Sequence, residues 1–375
     1  MSVIAAGAVV LEGRVARPGW LSVEDGRIAD CGSGPVRADD DFADCVVVPG
    51  FVDMHCHGGG GVSYPEDAGR AAGLHTFHGT TGGLASLVTA PPEVLLAQVR
   101  SLAEATRHGV VDGIHLEGPW LSGRHCGAHD PSWLRAPDRA ELDALLAAGD
   151  GVIRMVTLAP ELPGATAAIR CLVDAGVVVA LGHTDASYEQ TQDAIAAGAT
   201  VGTHLFNAMR SLHHREPGPV PALLADPRVT VEVIADGVHV HPGVIRHVVA
   251  SAGPDRVALV TDAMAAAGAG DGAFTLGGLG VDVAGGVARL RGTATIAGST
   301  ATMDRLFATA VGLLGGDDAA LAAAVHMTAT TPARALGLAS AGVLAAGSAA
   351  NLVVMTADLQ VHRVMRRGSW LIQPK

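Results

Sequence analysis

Lysine is all but missing from this chain. The only one in 375 residues is Lys375, the last, so any chemistry that needs an interior lysine is excluded. Cysteine is sparse as well: Cys31, Cys45, Cys56, Cys126 and Cys171 are odd in number, scattered, and form no C-x-x-C pair. That argues against a disulfide framework or a thiolate zinc knot and leaves reduced thiols as the simplest assignment. No run of about 18 uncharged apolar residues occurs, so no membrane span is expected and the chain reads as soluble and globular. The opening residues MSVIAAGAVVLEGR carry no basic segment ahead of their apolar stretch, and Glu12 interrupts that stretch. A secretory signal is therefore not expected, and a cytoplasmic location is. Positive charge is in deficit, 25 Lys and Arg against 37 Asp and Glu, for a net charge of −12. A long polyanion would be repelled overall, which drops nucleic acid as a partner, while a small phosphorylated ligand remains compatible with a local basic pocket.

What is present is a regular alternation. Between about residues 46 and 262, short β-branched or aliphatic runs alternate with Ala/Leu-rich stretches of helical length, the pattern of repeated βα units and a parallel sheet. The runs VVVPGFVDMHC, GGLASLVTA, VDGIHLEG, GVIRMVTLAP, GVVVALGHT, TVGTHLFN, VTVEVIADG and DRVALVTDA read as eight strands. Helices are predicted between them, among others over Pro92 to His108, Arg139 to Ala148 and Tyr188 to Ala197. The fold class is thus α/β, a (β/α)8 TIM barrel. Both chain ends read differently, as short Gly-punctuated strands without helices, and together they predict one small β-sandwich domain. The expected boundaries are 1–47 and 336–375 for the two parts of that domain, with 48–335 for the barrel. Phe274 to Gly292 is a further strand-and-turn segment, expected as a hairpin beside the barrel mouth, and SGRHCGAHDPSW is a polar loop after the third strand.

In a barrel of this type reactive residues gather where strands end and loops begin. The first strand runs into PGFVDMHCHGGGG, where His55 and His57 are two apart and so share a face in extended chain. The third predicted strand ends with Glu117, the fifth with His183, the sixth with His204 and the eighth with Asp262. A lone histidine is normally a core or surface residue, and strand ends need only turn formers. Six imidazoles and carboxylates at the same end of five strands instead predict a metal site, with a donor set suited to zinc and neighbouring divalent ions. The glycines Gly58 to Gly61 lack the spacing of a phosphate-cradling loop and are read as letting the backbone turn tightly.

The motifs PGFVDMHCHG, HLEGPWLS with GAHDP, LGHTDASYEQTQDAIAAGA, THLFNAMRSLHHREPG, IADGVHVHP, LVTDAMAAAG and IAGSTATMD follow one another along nearly the whole chain. In this order they resemble the amidohydrolase superfamily and, within it, the N-acetylglucosamine-6-phosphate deacetylase family. The resemblance implies a metal-bearing barrel with a small sandwich made from both termini. It implies that Glu117, His183 and His204 hold one divalent metal, and that His55 and His57, with Glu117 bridging and Asp262 close by, hold a second. Some relatives lack the first-strand histidines and work with one ion; this chain has both. The implied cofactor is therefore a divalent metal, zinc being expected, with one or two ions per subunit. Relatives that bridge two metals with a carboxylated lysine differ, since this chain has no interior lysine and a glutamate bridge replaces it.

The implied activity is hydrolysis of the acetamide of N-acetylglucosamine 6-phosphate, in amino-sugar catabolism and cell-wall recycling. Asp262 is the implied catalytic group, taking a proton from the attacking water and returning it to the departing sugar nitrogen; its bland alternative is a helix N-cap. By the same resemblance Asn207 and the Ala208 N–H contact the phosphate, Arg215 and His239 pair with it, and His129 binds near the carbonyl or the sugar hydroxyls. In the family one basic phosphate contact comes from a neighbouring subunit, which implies a homodimer. Otherwise Arg215, with His213 and His214, is an ordinary solvated loop. Ile296 is expected to line the pocket or simply to pack; Cys126, in the loop between Glu117 and His129, either covers the site or, as nothing in the sequence marks a lowered thiol pKa, is a bystander. The rival substrate is the galactosamine epimer. A cyclic-amide hydrolase is disfavoured by the missing bridging lysine, and a noncatalytic barrel scaffold by the presence of every metal-capable residue and of Asp262.

Overall fold

The computed structural model describes residues 1–371, so Lys375 and the end of the expected C-terminal segment lie outside the described residues. The chain divides into two compact units. The first comprises Met1–Asp53, His75–Gly82 and the chain from Thr302 onward; the second comprises Met54–Leu74 and Gly83–Ala301.

The first unit is built on one sheet to which both ends of the chain contribute. Its strands lie in the order Ser369–Trp370, Val361–Arg366, Leu352–Met355, Asp40–Pro49, Ser2–Leu11, Gly19–Glu24 and Arg27–Ser33, with Arg14–Ala16 paired to Ser2–Leu11. Buried and half-buried residues alternate from Val3 to Ala8, as expected of a strand with one face in the core, and Ala8, Val9 and Val10 are then buried in succession. The buried set gathers Ile4, Leu21 and Ile28 from the N-terminal strands with Leu344, Leu352 and Met365 from the C-terminal segment. The helices Met303–Leu314 and Asp318–Val325 belong to this unit as well, although the expected boundary at residue 335 assigns them to the barrel segment.

The first predicted strand, VVVPGFVDMHC, needs correction. Val46, Val47 and Val48 pair with Met355, Val354 and Val353 in the terminal sheet, and the barrel strand is the separate segment Phe51–Asp53. Gly50 marks the break. Its N–H donates to the Asn351 carbonyl at 2.9 Å, while that of Phe51 donates to Gly79 at 2.9 Å. A Cβ on Gly50 would lie 2.1 Å from Thr81 Oγ1, so the switch between sheets needs a residue with no side chain.

Eight parallel strands form a nearly closed barrel: β1 (Phe51–Asp53), β2 (Thr80–Leu87), β3 (Gly113–Glu117), β4 (Ile153–Leu158), β5 (Val178–Leu181), β6 (Val201–Gly202), β7 (Thr230–Val233) and β8 (Val257–Leu259), adjacent in this order. Beyond β8 the Asp262 N–H donates to the His55 carbonyl at 2.8 Å, and Cys56 bridges Ala263 in parallel fashion, which draws the two edges together. β3, β7 and β8 are buried at every position, as strands covered on both faces should be. The predicted helices occur as Pro92–Arg107, Arg139–Gly149 and Tyr188–Ala197. The last begins with a reciprocal capping box between Ser187 and Gln190. The expected hairpin is a three-stranded antiparallel sheet, Gly272–Leu276, Leu279–Ala284 and Val287–Leu290. It packs Val281, Val283 and Ala288 against Met264, Ala265 and Ala297. Among the described residues no helix is long and apolar enough to cross a membrane.

Candidate metal centre

All six metal-capable residues sit at or just beyond the C-terminal ends of barrel strands. Glu117 is the last residue of β3, His55 and His57 follow β1, and His183, His204 and Asp262 follow β5, β6 and β8. The last three leave their strands with positive φ, 46°, 24° and 47°. That region costs an ordinary side chain about 1–3 kcal/mol and persists only where the surroundings enforce it. Here the three side chains it carries reach Glu117 or His57.

The donor atoms converge in two groups, His55 with His57 and Asp262, and Glu117 with His183 and His204, the atoms within each group all lying within 4.8 Å of one another. Glu117 stands between them. Its Oε1 is 2.9 Å from His183 Nε2, 3.0 Å from His204 Nε2 and 3.5 Å from His55 Nε2, and its Oε2 is 3.2 Å from His57 Nε2. Asp262 Oδ1 is 3.1 Å from His57 Nε2 and 3.5 Å from His55 Nε2. Every member of the cluster is buried. Burial alone would raise the Asp262 carboxyl, but His55 and His57 outweigh it and hold it well below the usual carboxylate range. Burial likewise lowers His57, and hydrogen bonding to Asp262 and Glu117 brings it up to about 9.

The tautomers show what the cluster is built to hold. His183 Nδ1 donates to the His125 carbonyl at 2.8 Å, and His57 Nδ1 to the Ser86 carbonyl at 3.2 Å. A carbonyl only accepts, so in the neutral ring the proton is on Nδ1 and the Nε2 lone pair faces inward. His55 Nδ1 is held in the same way by Glu232 Oε2 at 3.1 Å. The inward nitrogens lie close, His55 to His57 at 3.2 Å and His183 to His204 at 3.1 Å. Lone pairs at such separations repel unless a cation lies among them. Oriented imidazoles with outer partners and carboxylates are the donor set of a divalent metal centre, and the residues present fit one.

A cavity of about 430 Å³ opens over this cluster. Among the expected substrate residues, His129, Asn207, Ala208, His239 and Ile296 line it. Arg215 does not; it lies on an exposed loop with its Nη1 2.8 Å from His214 Nε2. Cys126 is not among the lining residues either. The N-cap alternative for Asp262 fails, because no helix begins there among the described residues. The Thr89 backbone N–H donates to His129 Nδ1 at 3.2 Å, so the neutral ring carries its proton on Nε2, 3.2 Å from Glu117 Oε2. Burial keeps this ring neutral, pushed down to about 4 despite the nearby Glu117. Asp236 Oδ2 accepts from His239 Nδ1 at 2.7 Å. Burial lowers His239, and Asp236 more than restores it, so this histidine is raised.

Several residues here escape the sequence reading. Glu232, on β7, reaches His55, and His115, on β3, packs edge-on to it with ring centroids 4.5 Å apart. His115 is itself held by Ser86 Oγ at 2.9 Å and Thr157 Oγ1 at 2.8 Å. The available signal for Glu232 is an acidic residue inside the apolar run VTVEVIADG. For Asp236 it is the spacing of three to His239.

With this geometry in view, residues 46–371 match the amidohydrolase family, and the chain belongs to it. Its resemblance to N-acetylglucosamine-6-phosphate deacetylases is borne out. It is 53% identical to the Mycobacterium smegmatis N-acetyl-D-glucosamine-6-phosphate deacetylase, solved as an aspartate-to-alanine mutant in complex with N-acetyl-D-glucosamine-6-phosphate, with a TM-score of 0.97 and coverage of 99% of each chain. The Homo sapiens N-acetylglucosamine-6-phosphate deacetylase is 38% identical over 385 residues, covering 96% of this chain and 90% of the relative. The N-acetylgalactosamine-6-phosphate deacetylase of Escherichia coli O157:H7 is 38% identical over 364 residues, covering 93% of this chain and 95% of the relative.

Proposed function

We propose that this protein hydrolyses the acetamide of N-acetylglucosamine 6-phosphate to glucosamine 6-phosphate and acetate, as a step in amino-sugar catabolism and cell-wall recycling. The observation that carries the reading is Glu117, a member of one three-residue donor group and 3.2 Å from His57 of the other, at the floor of a cavity of sugar size. Glu117, His183 and His204 would hold one divalent ion, and His55 and His57, with Glu117 shared and Asp262 adjacent, a second; zinc is the ion proposed. A divalent metal supplies two things, a lowered pKa for water and polarisation of a carbonyl.

The remaining work falls to the chain. Asp262, ionised and exposed to the cavity, accepts a proton from the attacking water as the new C–O bond forms. It delivers that proton to the sugar nitrogen as the C–N bond breaks, since an amine leaves poorly unless protonated. His129, neutral with its Nε2–H beside Glu117 Oε2, would turn that donor to the acetamide oxygen as negative charge builds there. Asn207, the Ala208 N–H and His239, raised by Asp236, take the phosphate. Arg215 lies on an exposed loop outside the cavity of its own chain, which fits a contact lent by the partner subunit and hence a homodimer. A cytoplasmic location is consistent with scattered cysteines that form no C-x-x-C pair.

The galactosamine epimer is the second reading, favoured by the 38% identity to the Escherichia coli O157:H7 enzyme. Acetate release from the two epimeric sugar phosphates by metal-loaded protein decides between them. Faster turnover of the glucosamine compound supports the first reading, the reverse ratio replaces it with the second, and no release from either refutes both.

A further inference from the structure

We infer that Glu232 is a positioning residue that couples the two donor groups, and that it sets the affinity of the His55, His57 and Asp262 group for its ion. The inference rests on the two-ion reading of the site. Glu232 lies on β7 with none of its surface exposed, a costly place for a carboxylate unless its partners repay the lost hydration. A single oxygen, Oε2, makes two contacts. It accepts from His55 Nδ1 at 3.1 Å and from the backbone N–H of His204 at 3.1 Å. The first contact fixes the tautomer of the neutral His55 ring, with the proton on Nδ1 and the Nε2 lone pair toward the cluster. The second grips the turn that carries His204, where φ is 24°. The Glu232 backbone carbonyl takes the next N–H, that of Leu205, at 2.8 Å. One residue therefore orients the side chain of a donor in one group and fixes the strained backbone of a donor in the other.

A purely structural role is the alternative. The other oxygen, Oε1, is buried with no hydrogen-bond partner among the described residues. A carboxylate kept only for stability is a poor choice at a position where half its hydrogen-bonding capacity is unused. A carboxylate behind a metal-binding imidazole instead raises its basicity and locks its orientation, and losing such a partner typically weakens metal binding about 10- to 100-fold.

The test is a zinc titration of the full chain, stripped of metal and titrated against a competing chromogenic chelator, so that the number of equivalents and the affinity of each are read without turnover. Wild type, Glu232→Gln, Glu232→Ala, His55→Ala and the His55→Ala/Glu232→Ala double variant are compared, with circular dichroism to establish folding. Two equivalents are expected in the wild type. Glu232→Ala should weaken one of them about 10- to 100-fold. Glu232→Gln, which keeps the volume and one acceptor, should weaken the same one less, and it carries the test if the alanine variant does not fold. In the His55→Ala background Glu232→Ala should bring little further loss at that equivalent, because the carboxylate acts through His55. Both equivalents unchanged in the Glu232 variants, or a full additional loss in the double variant, overturns the inference while leaving the two-ion reading intact. A wild type that takes up fewer than two equivalents overturns that reading and the inference with it.

Discussion

His57 Nε2 lies 3.1 Å from Asp262 Oδ1, both groups being buried. Burial opposes a charged His57, but hydrogen bonds to Asp262 and Glu117 lift it from its usual 6.5 to about 9 when no metal is bound. A group raised on folding stabilises the folded state fully below its unfolded pKa and ceases to as pH climbs through the folded one. This contact therefore supports the metal-free protein below about pH 6.5 and stops doing so as pH rises through about 9. A metal needs the neutral ring, so loading at pH 7 should expel a proton, and affinity should fall as pH falls. Calorimetric zinc titrations in two buffers of different ionisation enthalpy should give different apparent heats. Equal heats at pH 7 would show that His57 carries no proton to release.

The proposed mechanism gives Asp262 the transfer of a proton from water to the leaving nitrogen. Asp262→Asn should lower kcat about 10²- to 10⁴-fold, with substrate affinity, measured by equilibrium binding, changed much less. A variant with kcat within a few-fold of wild type removes Asp262 from the catalytic role.

Arg215 is separated from the cavity of its own chain, yet the phosphate needs a strong cation in a molecule that has no interior lysine. Arg215→Ala should raise KM for the sugar phosphate by about tenfold or more and leave an unphosphorylated analogue nearly untouched. If the arginine is lent across a homodimer, Arg215→Ala and Asp262→Asn proteins, unfolded and refolded together and assayed at substrate well below KM, where each alone is strongly impaired, should recover about a quarter of wild-type activity, because half the random dimers are mixed and each has one complete site. A mixture no more active than its separate components would show that Arg215 does not act across subunits.

Gly50 carries the chain from one sheet to the other with no room for a side chain, a Cβ there lying 2.1 Å from Thr81 Oγ1. Gly50→Ala should cost about 1–3 kcal/mol, read as a lower melting temperature. An unchanged melting temperature would mean that the strand junction can move aside.

Much of this architecture is legible in the sequence because it depends on local signals. The alternation of apolar runs with amphipathic stretches fixes the barrel, and the ends of those runs place His55, His57, Glu117, His183, His204 and Asp262 where the structure brings them together. The reading fails where identical local chemistry serves two sheets. Val46, Val47 and Val48 have the same aliphatic character as a barrel strand, and only their pairing with Leu352–Met355, some 300 residues on, assigns them to the terminal sheet. Glu232 is hidden for a related reason. Its partner His55 is 177 positions away, and no periodicity within β7 separates a carboxylate aimed at the metal centre from one that is merely tolerated. His115 sits two residues before Glu117 and shares its side of β3, yet its partners are hydroxyls from neighbouring strands, which a single strand's pattern does not display.

The most direct measurement is acetate released from N-acetylglucosamine 6-phosphate by chelator-stripped protein as zinc is added back in steps. Release should be negligible at the start, should rise with the first equivalents and should level off once the sites around Glu117 are filled. Activity that survives complete stripping, or none at any zinc level, would contradict the account.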